Sequence, residues 1–113
     1  MKNFTAPKQE LLTIDQKKKK TIAINQIIML KGFVNYTHFF LQNGKHRISA
    51  RTLKHYENLL NNKGFIRVHR GFIVNQNCIV EHNLLTSQLI LTDGYEADIS
   101  RRRMGDFLKG VEV

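Results

Sequence analysis

Hydrophobic and polar positions alternate along much of this chain with a period of two. Leu12 and Ile14 fall in step within residues 10–15, and Ile22 and Ile24 within residues 21–25. The spacing predicts a hairpin whose tip holds Gln16 and the run Lys17 to Lys20. Those lysines could meet phosphate, but a solvated turn guarding an exposed edge is the favoured reading. Residues 27–34 form a further apolar segment, broken by Gly32. Residues 36–42 and 45–51 flank Asn43-Gly44, a two-residue turn signal because both positions tolerate φ > 0. That turn pairs Gln42 with Lys45 and Phe39 with Ile48. One face then carries Phe39, Leu41 and Ile48. The other carries Tyr36, His38, Phe40 and Gln42 beside Lys45, Arg47, Ser49 and Arg51. Aromatics interleaved with cations suit a nucleic-acid surface, and equally a packed layer under long cationic stems.

The period then lengthens. Leu53, Tyr56, Leu59 and Leu60 make one stripe of a helix running to about Asn62, with Thr52 as N-cap and Gly64 as terminator. Residues 65–80 are strand-like, interrupted at His69-Arg70-Gly71 and at Asn75-Gln76-Asn77. Alternation puts Arg67 and His69 on one face, and Gly71 permits a sharp turn after Arg70. Residues 89–92 and 95–99 form another expected hairpin around Asp93-Gly94. Leu89 and Leu91 lie on one of its faces, and Ile90, Ala97 and Ile99 on the other, the pattern of a sheet covered on both sides. Ser100 can cap a final helix over 101–109, with Met104, Phe107, Leu108 and Val111 as its buried stripe. The fold class is mostly β, with seven or more strands and two short helices.

Composition narrows the class. A chain of 113 residues, 42% hydrophobic, holds one core-bearing domain. The only proline is Pro7, which confines a flexible leader to residues 1–9 and leaves 10–113 as the domain. No apolar run approaches a membrane span, and the N-terminus lacks a signal-peptide core, so a cytoplasmic protein is expected. One cysteine excludes an internal disulfide and a Cys-rich metal site. Cys78, among apolar neighbours, reads as a buried thiol.

Charge sharpens the picture. The net charge is +9, and it is unevenly spread: residues 1–70 carry 14 basic and 3 acidic residues, while residues 71–100 carry 4 acids and no Lys or Arg. Such a field concentrates polyanions at the basic surface. Nucleic acid is the natural partner; a membrane would favour a basic amphipathic helix, which is absent. Catalytic and phosphate-loop signatures are missing, and the five histidines lack metal-ligand spacing, so neither enzyme nor cofactor is expected.

Two features stand out. Arg101-Arg102-Arg103 opens a helix, where cations oppose the dipole at about 0.3–1 kcal/mol each. The arrangement makes sense if an anion docks there, or if guanidinium groups read guanine. Arg67-Val68-His69-Arg70-Gly71 breaks an apolar stretch, and polar interruptions of this kind mark a site or a bulge.

The run from Gly64 to Asn75, Gly-Phe-Ile-Arg-Val-His-Arg-Gly-Phe-Ile-Val-Asn, resembles the central signature of the LytTR DNA-binding domain family. Ile27 to Leu30, Asn35-Tyr36-Thr37 before the Asn43-Gly44 turn, Thr52-Leu53, and Ile99-Ser100-Arg101-Arg102 fall into register with it. The resemblance covers about residues 10–110 and implies elongated, stacked β-sheets in place of a helix-turn-helix. It implies sequence-specific binding of double-stranded DNA by loops reaching successive major grooves at direct repeats, with a second protomer on a repeated half-site, in a bacterial transcription regulator. Carried over residue by residue, the contact segments are Asn35, Tyr36, Thr37 and His38; His69 and Arg70; and Arg101 and Arg102, with Arg103 completing the cluster. Arg70 and Arg102 are the base-reading candidates, and His69 and Arg101 phosphate or support groups. Asn75 matches a family position but is expected to satisfy local backbone. Gly71 departs from the Ser or Asn of many members. Many members are response regulators with a receiver domain, for which a nine-residue leader is too short; a free-standing regulator and an excised domain both stay open. The rivals are a single-stranded nucleic-acid binder using the Tyr36, His38 and Phe40 face, and a basic protein-interaction domain.

Overall fold

The structure, a computed structural model, describes residues 9–110; the expected leader, apart from Gln9, and the stripe position Val111 lie outside the described residues. Ten strands and two α-helices follow in the order β1 (Leu11–Asp15), β2 (Lys20–Ala23), β3 (Ile27–Phe33), β4 (Tyr36–Leu41), β5 (His46–Ser49), α1 (Leu53–Leu59), β6 (Phe65–His69), β7 (Phe72–Asn75), β8 (Ile79–Asn83), β9 (Gln88–Leu91), β10 (Glu96–Asp98) and α2 (Arg101–Gly110). The strands make a β1-β2 ribbon, a five-stranded sheet ordered β5-β4-β3-β7-β6, and a three-stranded sheet ordered β10-β9-β8. All pairings are antiparallel. The molecule measures 51 × 40 × 24 Å.

The five-stranded sheet is the middle layer. On one side Ile27, Leu30, Phe39, Leu41 and Ile73 pack with the β1-β2 ribbon (Leu12, Ile14, Ile22) and α1 (Leu53, Tyr56). On the other, Ile28, Met29, Val68 and Val74 pack with the three-stranded sheet (Leu89, Leu91, Ala97) and Phe107 of α2. Ile27 to Leu30 is accordingly a continuous buried run, as a strand covered on both faces requires. A register shift between Ile27 and Met29 turns both Ile28 and Met29 to the second core.

Two hairpins depart from the expected register. Asn43-Gly44 does not close a two-residue turn. Leu41 N donates to Lys45 O at 2.8 Å, so the loop holds three residues, with Asn43 and Gly44 both at positive φ. Phe39 therefore pairs with Arg47, and His38 with Ile48. This slip of one residue turns all of β5 over. Lys45, Arg47 and Ser49 leave the aromatic face, while Ile48 moves onto it and is 54% exposed. The inner side of β5 is held by polar chemistry instead. The Ser49 hydroxyl, buried, bonds Tyr56 Oη and donates to Ile14 O at 3.1 Å. Thr92-Asp93-Gly94 repeats the three-residue loop, with Leu91 N bonded to Tyr95 O at 2.7 Å. Leu89 then pairs directly with Ala97. Leu89, Leu91 and Ala97 share one buried face, so this hairpin is covered on one side, and the doubly covered sheet is the middle one.

Helix α1 begins as expected, with the Thr52 hydroxyl accepting from His55 N. It ends at Leu59, earlier than the expected Asn62, and Leu59 is exposed. Asn62 takes a positive φ in the exit before Gly64 does.

Candidate nucleic-acid interface

Antiparallel pairing brings several turns to one end of the middle sheet. The β3–β4 turn (Val34, Asn35), the β6–β7 turn (Arg70, Gly71) and the exit of β5 (Ala50, Arg51) all lie there, because Lys31 pairs with both His38 and Phe72, and Thr37 with Ser49. Gly32 N donates to Gly71 O at 2.9 Å and ties the first two turns together. Ser100 N donates to Val68 O at 2.9 Å and sets the start of α2 beside β6. At a strand spacing of about 4.8 Å, Arg51 and Arg70 stand about 17 Å apart along this edge. Helix α2 starts directly beside β6, at the far end of that edge.

The β6–β7 turn is built with care. A bulge at Val68 pairs Arg67 with Ile73 and His69 with Phe72. Arg67 and His69 therefore face opposite sides of the sheet, contrary to simple alternation. Neither Arg70 nor Gly71 takes a positive φ, so the turn does not use the glycine freedom expected at Gly71, and the bulge supplies the strand twist that a mirror-image turn would otherwise give. Arg67, with its side chain only 13% exposed, clamps the turn from behind. Its Nε donates to His69 O at 3.0 Å, its Nη2 to Arg70 O, and its Nη1 to Glu57 of α1 at 2.7 Å. With Arg67 spent on the scaffold, Arg70 is left exposed at the tip. His69 Nδ1 accepts from Gly71 N at 2.9 Å. That bond requires a lone pair on Nδ1, which leaves Nε2 as the donor of the ring.

Helix α2 starts as the sequence predicts, with Arg103 N donating to Ser100 Oγ at 3.3 Å. Helical geometry puts Arg101 and Arg102 about 120–140° away from buried Phe107, and Arg103 about 40° from it. Arg101 and Arg102 are exposed. Arg103 is half-buried and lines a cleft of about 230 Å³ with Glu57, Arg67 and Asp106. It thus parts from its two neighbours. Among the described residues, Arg70, Arg101 and Arg102 make no ion pair.

The β3–β4 segment divides similarly. Asn35 and Tyr36 are exposed, and His38 is half-buried. Thr37 is fully buried and its hydroxyl donates to Arg51 O at 2.7 Å, so it supports the β5 exit and does not face outward. Asn75 is likewise a support: it donates to Ile27 O at 2.9 Å and accepts from Asn77 N at 3.0 Å. Cys78 is buried, and desolvation pushes its thiol up.

Beside the turns, His38 Nδ1 and His46 Nε2 lie 3.1 Å apart. Burial, then His38, then Arg47 hold His46 below its ordinary pKa of 6.5. Sequence reasoning missed Lys31, whose ammonium lies 5.9 Å from the Phe72 ring centroid, and Arg51 as a member of the edge. Their signal was available: no acid occurs between Asp15 and Glu57.

The family model of the LytTr DNA-binding domain matches residues 17–111. Among solved structures, the chain is similar to a LytTr DNA-binding domain from Bacillus cereus, with 22% identity and a TM-score of 0.76, over 95% of this chain and 100% of that one. No curated protein matches significantly.

Proposed function

Because this chain belongs to the LytTr DNA-binding domain family, we propose that it reads double-stranded DNA sequence-specifically through the turn-bearing end of its middle sheet. The carrying observation is that exposed Arg70, Arg101 and Arg102, free of ion pairs among the described residues, share that end. An edge of about 17 Å, with α2 beyond it, outspans one major groove of about 12 Å. Successive major grooves lie about 34 Å apart, within the 51 Å length of the molecule, so reading direct repeats draws on that length and on a second protomer at the repeated half-site. Arg70 and Arg102 read base edges. Arg101 and the Nε2 proton of His69 contact phosphate. Asn35, Tyr36 and His38 complete the tip, and Thr37 and Arg103 act as supports.

Selection from random duplex oligonucleotides tests this reading: a recovered motif with a fixed repeat spacing is expected, and unenriched sequence would refute it. On the recovered site, Arg70→Ala or Arg102→Ala should cost about 1–3 kcal/mol and relax preference at one base pair. A uniform loss over all sequences would reassign that arginine to phosphate.

The single-strand reading loses ground because Lys45 and Arg47 lie on the opposite face from Phe40. Competition settles it: duplex should displace single strands, and the reverse order would reinstate the aromatic face.

A further inference from the structure

The tip of the β3–β4 hairpin is apolar where a solvated turn would be polar. Phe33 is 61% exposed, Val34 80% and Tyr36 50%. Val34 also holds φ = +57°, the one β-branched residue with a positive φ among the described residues. That conformation is disfavoured for any L residue and most of all for a branched one. Asn35, which suits the left-handed region, stands one place too late and takes no positive φ. Neither backbone preference nor burial explains a valine here. Phe33 pairs with Tyr36, so both rings project from one face, and Phe33 sits edge-on to His38 with centroids 6.1 Å apart. The surround is cationic: Lys31 lies on the same face, and Arg51 and Arg70 flank the tip along the edge.

An exposed apolar point ringed by cations fits an anionic surface with apolar spots along it. The major groove offers that, as thymine C5-methyl groups between phosphate backbones. We infer that Phe33 and Val34 form a thymine-methyl reader, selecting thymine at one or two positions where the hairpin tip meets the groove. The inference rests on the duplex-DNA reading above. It assigns the tip apolar discrimination and leaves hydrogen-bonded readout to the arginines.

The test uses the duplex recovered by selection, with each thymine in turn replaced by deoxyuridine, which removes the methyl alone. The unaltered protein should lose about threefold to tenfold in affinity at one or two positions. Phe33→Ser and Val34→Gly should bind the thymine and uracil forms equally. Val34→Gly should also melt at a higher temperature, since glycine accepts the strained φ. Better folding with poorer discrimination is an outcome a purely structural valine could not give. Indifference of the unaltered protein to every methyl, or methyl dependence surviving both substitutions, would overturn the tip's role and leave the duplex reading intact. Absence of any duplex binding would overturn both.

Discussion

Single side chains at the sheet end divide into those that face outward and those that hold them there. Arg67 belongs to the second group. It spans two carbonyls of the β6–β7 turn and a carboxylate on α1. Arg67→Ala should cost about 1.5–3 kcal/mol in urea unfolding, the scale of charged hydrogen bonds. It should also weaken cognate binding, although the side chain is held within the scaffold. Thr37→Val keeps the shape of a buried group but strands the Arg51 carbonyl, and about 1–3 kcal/mol of stability should go. Gly71→Asn should leave stability within about 0.5 kcal/mol. Its φ is not positive, and a Cβ there would meet His69 Nδ1 at 3.5 Å, an ordinary contact. His46 carries a pH dependence. Its folded pKa is lowered from 6.5, so its contribution is fully present above that value and falls away as pH drops through the lowered one. Unfolding at pH 5 and 7.5 should show the loss, and His46→Gln should flatten it. The sequence pointed to segments that the fold brings to one end of the middle sheet, but not to the orientation of each residue within them. Thr37 and Arg103 sit beside exposed neighbours in the chain and turn inward, because alternation in one case and helical pitch in the other decide between adjacent positions.

At the scale of elements, existence and order were legible, and register was not. Asn43-Gly44 and Asp93-Gly94 mark turns correctly, since their positive φ values are what those residues allow. Loop length escaped the sequence because the same dipeptide serves two- and three-residue loops. The deciding interactions lie elsewhere. Ser49 turns inward to meet Tyr56 and Ile14 across layers, while Ile48, the more apolar neighbour, stays out. No local pattern reveals a hydroxyl network that is completed by residues from three elements. The bulge at Val68 is similar, for the Arg67 clamp beside it reaches across to α1. Gly44→Ala and Gly94→Ala should each cost about 1–2 kcal/mol, because a Cβ in the left-handed region is disfavoured even where, as here, the space is open. Thermal melts of the two variants check this, and an unchanged midpoint would show that the loops relax.

The whole molecule is a stack in which one sheet serves two cores. Of its outer strands, β6 is bonded by the α2 approach through Ser100, while β5 is tied to β1 by the Ser49 hydroxyl. Phe107 is 1% exposed in the second core. Phe107→Ala should cost about 3–5 kcal/mol and, by loosening α2, should reduce DNA affinity as well. Binding should weaken with salt at a log–log slope of about −4.5 to −7 if five to eight phosphates are neutralised. A slope near zero would remove the electrostatic basis of the DNA reading. The shared sheet also bears on how the protein comes apart. Peeling away either cover bares half of β3, so neither half can melt while the other persists. Calorimetry should record a single peak. In deuterated water the amides of Ile28, Met29 and Leu30 should be the last to exchange, at a rate set by global opening.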